Sequence, residues 1–293
     1  MAAPLLVIGA TGQIGRNVLR RADDRPVVGL ARRPALVTER NSLKTVAFDL
    51  ARALPALSGD WPAAAIATVP IWLLSRHLDE LADRGVRRLV CFSTTSLFGK
   101  SETRNAHERA VVARVQEAER HFQARADARA VALTILRPTL IYGEGQDKTI
   151  TVASRFIGRF GFYPVHGRAA GKRQPVHADD LAAAALAALD NDITVGRSYA
   201  LGGGETLAYR EMIGRIFTVL GKSPRVVPVP MLPALLGLAG TLIPGSELTG
   251  DVARRMNLDL DFDDGTAARD FGYAPRPFLQ AGLTDLFGSG AQA

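Results

Sequence analysis

Through the first half of the chain, short runs of apolar and β-branched residues alternate with longer segments whose apolar positions recur every three or four residues. Leu5–Ile8, Pro26–Leu30, Leu43–Phe48, Ala63–Val69, Arg88–Phe92 and Ala130–Leu136 are apolar on both faces, as strands must be when helices cover both sides of their sheet. Ile14–Ala22, Ile71–Arg84 and Asn105–Ala126 read as the helices between them. Successive β-then-α units of this length imply parallel strands with right-handed crossovers. The pattern predicts an α/β chain built on a doubly wound parallel sheet.

After Gly143 the rhythm gives way to Gly- and Pro-punctuated segments: Gly143-Glu144-Gly145, Gly161 to Gly171, and Gly202-Gly203-Gly204. Two pieces keep the earlier character. Asp180–Leu189 is an Ala/Leu helix with Asp179 placed to cap it, and Ser198–Leu201 is a short strand; both are expected to return to the sheet. The predicted division is residues 1–143 plus 176–204 for the sheet domain and 144–175 plus 205–293 for a smaller, discontinuous substrate lobe, with a cleft between them. Met231–Ile243, rich in Leu and small residues, is expected to be a buried helix of that lobe; walling an apolar pocket, or docking on a membrane or a partner, is the alternative.

Composition narrows the function classes. The 293 residues carry 36 Lys plus Arg against 29 Asp plus Glu, and only five of those bases are Lys. No block of like charges marks a nucleic-acid tail, and no recognition motif accompanies the pI of about 10, so no nucleic-acid partner is expected. The lone Cys91 cannot build a disulfide framework, and with five scattered His it offers no zinc-type spacing. No signal-like leader opens the chain, and Met231–Ile243 falls short of the roughly 20 residues that span a bilayer. The expectation is a soluble, cytoplasmic protein with no metal.

The chemistry begins at Gly9-Ala10-Thr11-Gly12-Gln13-Ile14-Gly15, which follows the first strand and opens the first helix. One glycine permits the tight turn, a second lets the backbone approach a pyrophosphate, and a third lets the helix pack on the strand. The helix N-terminus then offers unpaired N–H groups and partial positive charge to the anion. After the second strand the chain reads Leu30-Ala31-Arg32-Arg33-Pro34, where an NAD-binding chain would place Asp or Glu for the ribose hydroxyls. Guanidinium groups there suit a 2′-phosphate, so NADP(H) is the expected cofactor, with NAD(H) as the lesser option. A solvated basic turn is the alternative reading.

The G-x-x-G-x-x-G spacing with Thr11 resembles the short-chain dehydrogenase/reductase superfamily, and GATGxIG resembles its extended and atypical branches. Four further motifs, in order, are similar to those of the NAD-dependent epimerase/dehydratase family. They are Leu89 to Gly99 with Ser93-Thr94-Thr95, Leu136-Arg137-Pro138 with Ile141-Tyr142-Gly143, Val176-His177-Ala178-Asp179-Asp180, and Phe271-Gly272-Tyr273-Ala274-Pro275. The resemblance implies a Rossmann domain. Together with the loop it implies cofactor contacts at Gly9, Thr11, Gly12, Gln13, Ile14 and Gly15, at Arg32 and Arg33, at Asp49 and Leu50 after the third strand, and at Ser93, Arg137 and Pro138. Asp49 also reads as a cap for a helix from Ala51.

That family's reaction uses a Ser or Thr and a Tyr-x-x-x-Lys pair. Thr94 takes the hydroxyl position, but the two helix positions fall on Val111 and Val115. The five tyrosines, Tyr142, Tyr163, Tyr199, Tyr209 and Tyr273, are followed four residues later by Gln146, Gly167, Gly203, Ile213 and Pro277, so no Tyr-x-x-x-Lys exists anywhere. General acid–base help is worth typically 10²–10⁴ in rate. His107 and Arg114 are weak substitutes, and only Thr94 stands as a catalytic candidate. For substrate, the resemblance points to Arg173 as a diphosphate clamp; Arg254-Arg255 is a second candidate phosphate clamp, and Tyr142 falls just past the sixth strand, near where substrate would enter the cleft. Each also reads as an ordinary structural or surface residue.

Two function classes follow. One is an oxidoreductase with an atypical site acting on a nucleotide sugar or another carbonyl or hydroxyl metabolite, with homodimerisation through two helices as a family habit. The other is a non-catalytic NADP(H)-binding protein, similar to the short-chain-dehydrogenase-like accessory subunit of respiratory complex I.

Overall fold

A computed structural model describes residues 3–22, 24–37, 42–95, 106–242 and 249–288. The expected turn from Ser96 to Gly99, the helix start at Asn105 and the side chain of His107 lie outside the described set. The strands are β1 (Leu5–Ile8), β2 (Val27–Ala31), β3 (Leu43–Ala47), β4 (Ala64–Ala67), β5 (Arg88–Phe92), β6 (Ala132–Pro138), β7 (Leu140–Tyr142), β8 (Tyr163–Val165), β9 (Lys172–Arg173), β10 (Pro175–His177), β11 (Ser198–Leu201), β12 (Leu207–Ala208) and β13 (Val226–Pro228). Seven of them form one parallel sheet in the order β3-β2-β1-β4-β5-β6-β11. The strand order reverses between β1 and β4, and in such sheets ligands bind at the carboxyl ends of the strands beside this point.

Each face of the sheet has its own apolar layer. Val7, Ile66 and Val90 pack on one side with helices Gln13–Arg21 and Ala178–Leu189. Leu6, Ala65 and Leu89 pack on the other with helices Ile71–Leu74, Leu78–Asp83 and Ala106–Ala128. A third core, around Tyr142, Ile157, Ile213, Phe217 and Leu286, belongs to the smaller lobe. Outside the seven-stranded sheet, β7 pairs with β10, β9 with β12, and β8 with β13.

Three elements differ from the sequence reading. The segment Ile71–Arg84 is not one helix: a 3-10 turn at Ser75–His77 divides it. Ser75 donates to the Trp72 carbonyl, and the His77 ring hydrogen-bonds the Leu50 carbonyl at 2.8 Å. The local Ser75 bond competes with the α-helical ladder, and the distant Leu50 carbonyl holds the His77 ring. The helix expected from Asp180 starts at Ala178, and its cap is His177, whose Nδ1 accepts from the Asp179 N–H. The stretch from Met231 forms helix Leu232–Leu242, but it is not buried: Leu232 enters the core while Met231 and Leu235 face solvent.

The first-half sheet is tied at its base by Arg88. Its guanidinium donates to the carbonyls of Ala132, Ala188 and Leu189 and to the hydroxyls of Thr134 and Thr194, and burial lowers its pKa. Ala188 and Leu189 end helix Ala178–Leu189, so this cation satisfies carbonyls at the negative end of a helix dipole. Arg88→Met keeps the apolar stem and leaves those acceptors unmade, at roughly 1–3 kcal/mol for a buried group. The expected loss is about 2–4 kcal/mol, read as a lower urea midpoint with unchanged slope.

Candidate functional site

The Gly9–Gly15 turn sits at the carboxyl end of β1, at the strand-order reversal. Gly9 has φ +91°, and a Cβ there would lie 2.6 Å from Thr68 Oγ1. Gly15 is held closer still: a Cβ would lie 2.2 Å from the Gly9 carbonyl oxygen. Gly12 is different, its nearest neighbour to a Cβ being the Gly9 oxygen at 3.4 Å. Two glycines serve packing within the chain, and the third leaves the helix start open to a ligand. Gly12 gives no side-chain cap and the first turn holds no acid, so the leading N–H groups keep their full attraction for an anion.

Three buried polar atoms of this region have no partner: Gln13 Oε1, Arg16 Nε and Ser93 Oγ. Buried polar groups are paired in the great majority of cases; these three, on the first helix and just past β5, are among the buried side-chain atoms left without a partner in the described residues. A dinucleotide supplies acceptors for Arg16 and Ser93 and a donor for Gln13. Arg16 is a residue that sequence reasoning missed, because an arginine in a helix after a glycine turn carries no signal of its own.

Arg32 and Arg33 follow β2, which lies beside the same turn: the Gly9 and Ala10 N–H groups both donate to the Leu30 carbonyl. Both arginines are exposed, and neither has a carboxylate partner among the described residues. Asp49 is exposed and accepts from the Ala51 N–H at 2.9 Å. It closes a turn instead of capping the helix expected from Ala51. At the other flank, Ser93 and Thr95 continue alongside β6 through their N–H bonds to Leu136 and Pro138 carbonyls, with Thr94 half-buried between them.

The model of the NAD dependent epimerase/dehydratase family matches residues 63–202. That segment, a little under half of the chain, is similar to this family. The structure superposes on the epimerase Mth375 of Methanothermobacter thermautotrophicus with a TM-score of 0.73 at 15% identity, over 98% of this chain and 91% of that one. It superposes on MoeE5, determined in complex with UDP-glucose and NAD, with a TM-score of 0.71 at 20% identity, over 97% of each chain. In sequence, it is 35% identical over 98 residues to NADH dehydrogenase [ubiquinone] 1 alpha subcomplex subunit 9, mitochondrial, of Arabidopsis thaliana, covering 33% of this chain and 24% of that protein. It is 24% identical over 210 residues to UDP-glucose 4-epimerase of Vibrio cholerae, covering 69% of this chain and 62% of that protein. The chain thus spans less than two thirds of these curated relatives.

Several residues of the epimerase/dehydratase motifs have structural partners in place of ligand-facing positions. Tyr142 is fully buried, accepts from the Leu279 N–H at 3.2 Å and packs edge-on against His177 and Phe278. Burial raises its pKa, and its hydroxyl oxygen is engaged by the Leu279 backbone. Arg173 is also buried. Its guanidinium donates to the carbonyls of Lys172, Leu258 and Arg255 at 2.5–2.7 Å and lies over the Tyr209 ring. Burial lowers its pKa to about 10. The expected diphosphate clamp is therefore a brace between β9 and the segment 255–260, and Arg255 contributes its backbone carbonyl to that brace. Arg137 makes a two-pronged pair with Glu119, joining β6, which ends at Pro138, to helix Ala106–Ala128. On that helix Val115 is sealed in the core and Val111 is exposed. Arg114 lines an outer groove of about 730 Å³ with Trp72, Arg76 and His121.

An ion-pair network, unforeseen from sequence, joins the cofactor helix to the smaller lobe. Arg20 pairs with Glu144 at 2.5 Å, and Arg21 pairs with Asp179 at 2.6 Å. Arg276 reaches Asp179 at 2.5 Å, Asp180 at 2.9 Å and Asp285 at 3.5 Å. Burial opposes ionisation of Asp179, but hydrogen bonds from Arg21 and Arg276 outweigh it and hold the carboxyl at about 2. Burial and the nearby Arg276 lower the His177 pKa, consistent with an Nδ1 that accepts a hydrogen bond.

Gly15→Ala drives a Cβ into the Gly9 carbonyl and is expected to cost about 1–3 kcal/mol while removing dinucleotide binding, measurable by calorimetric titration. Asp179, with a folded pKa of about 2 against about 3.9 when unfolded, contributes stability above pH ~4 that is lost as pH falls toward 2. Asp179→Asn should lower the melting temperature at neutral pH and flatten that acid limb in a pH series of thermal melts.

Proposed function

We propose that the chain is an NADP(H)-binding protein of the epimerase/dehydratase family that holds its dinucleotide without the family's tyrosine–lysine proton relay. The observation that carries this reading is the pair Val111 and Val115 on helix Ala106–Ala128, the latter sealed among core residues. A valine neither donates nor accepts a proton. The braced Arg173 and buried Tyr142 support the same reading, since neither is free to grip a nucleotide sugar.

The residues that would hold the cofactor are the Gly9–Gly15 backbone for the pyrophosphate, Arg32 and Arg33 for a 2′-phosphate, Asp49 and Leu50 for the adenine end, and Ser93 for the nicotinamide end. Charge-assisted bonds from two exposed guanidinium groups favour the extra phosphate. When bound, the nicotinamide supplies or accepts a hydride.

A second reading, an oxidoreductase acting on a carbonyl or hydroxyl metabolite such as a nucleotide sugar, is favoured by one feature: the hydroxyls of Ser93 and Thr94 persist at the end of β5, and Ser93 Oγ has no partner. There Thr94 would orient the reacting oxygen, and the substrate would have to exchange its proton with water.

Calorimetric titration is expected to give tighter NADPH than NADH binding. Replacing either Arg32 or Arg33 by Ala should weaken NADPH by about 10–100-fold, at roughly 1.5–3 kcal/mol for a charged hydrogen bond lost, and leave NADH unchanged. NADH binding as tight as NADPH overturns the phosphate assignment. Nicotinamide absorbance followed over nucleotide sugars, quinones and aldehydes should stay constant; turnover that falls in Thr94→Ala would establish the second reading instead.

A further inference from the structure

The smaller lobe has an apolar ridge that its own core leaves uncovered. In the parallel ribbon of β8 and β13, Pro164 is the register partner of Val227. Side chains alternate across a strand, so Phe162, Pro164 and Val227 share one face while Tyr163, Val165 and Val226 turn inward to the lobe core. Phe162 is 38% exposed and Val227 42%. The Phe160 ring, 53% exposed, sits 6.5 Å from that of Phe162. Beyond β13 the ridge continues into helix Leu232–Leu242 through Met231 and Leu235, one helical turn apart, which are 65% and 54% exposed.

Bases dominate the stretches of sequence that carry this ridge. Residues 148–178 and 212–242 hold nine Lys and Arg and no Asp or Glu, in a chain whose totals are 36 against 29. Three of these bases flank the exposed rings directly. The Arg159 guanidinium lies 5.4 Å from the Phe160 ring centre. Lys222 Nζ donates to the Gly158 carbonyl at 2.7 Å, and the Arg225 carbonyl accepts from the Tyr163 N–H, placing Arg225 beside Phe162.

We propose that this ridge docks the protein on an anionic lipid surface, with Phe160, Phe162, Val227, Met231 and Leu235 entering the headgroup boundary and Arg159, Lys222 and Arg225 meeting lipid phosphates. Exposed aromatics and aliphatics rimmed by bases are the composition of interfacial binding. A second copy of the chain fits the charge less well, since two-fold pairing would bring Arg159, Lys222 and Arg225 of the two copies together. The attachment is peripheral: no helix among the described residues is long and apolar enough to cross a membrane.

The test is co-sedimentation of the full chain with vesicles of phosphatidylcholine alone and of equal parts phosphatidylcholine and phosphatidylglycerol. Binding is expected only to the mixed vesicles, weakening with salt. Arg159→Ala and Arg225→Ala should each reduce it about fivefold, the equivalent of about 1 kcal/mol per charge. Met231→Asp with Leu235→Asp should abolish it while melting temperature and NADPH affinity stay unchanged. Equal binding to both vesicles, binding to neither, or a dimer in light scattering that Met231→Asp dissociates would each overturn the proposal, the last by assigning the ridge to a second copy.

Discussion

Everything at the carboxyl edge of the sheet depends on how closely the first helix approaches the end of β1. A hydrogen atom at Gly15 stands where a methyl would touch the Gly9 carbonyl, so the helix begins directly over the strand and its amides converge on one point. That point lies where the strand order reverses, which leaves a crevice between neighbours that diverge. Gln13 and Arg16 keep unpaired polar atoms on this helix, and Ser93 keeps one just past β5.

The same helix carries load at its other end. Arg20 and Arg21 complement its dipole and reach carboxylates outside the sheet, Glu144 and Asp179. Arg276 extends the chain of charges to Asp285 of the smaller lobe. The element that would receive the pyrophosphate is therefore ionically continuous with the lobe that faces the crevice. A shift of one is resisted by the other, as expected of groups partly withdrawn from water, whose mutual attraction is less screened than on an open surface.

The sheet was legible because its strands are buried on both faces, and an unbroken run such as Leu5–Ile8 or Arg88–Phe92 has few other homes. The glycine turn was legible because its spacing states a backbone requirement. What sequence could not carry were roles set by distant partners. Arg173 and Tyr142 sit in motifs that imply ligand contact, yet carbonyls more than 80 residues away claim the guanidinium and Leu279 claims the phenol. The His77 turn depends on Leu50 in the same way. The stretch from Met231 misled for a different reason: apolar composition is the same whether the side chains meet a core or open space, and only neighbours such as the β8–β13 ribbon decide which.

Cys91 lies in the middle of the sheet on β5, and burial raises its thiol pKa far from the reactive range. It is also the chain's single cysteine. Burial therefore slows the reaction of this thiol with maleimide and disulfide reagents in the folded state. A thiol introduced at any surface position would carry a spectroscopic label alone, without first replacing a residue on which the sheet is packed.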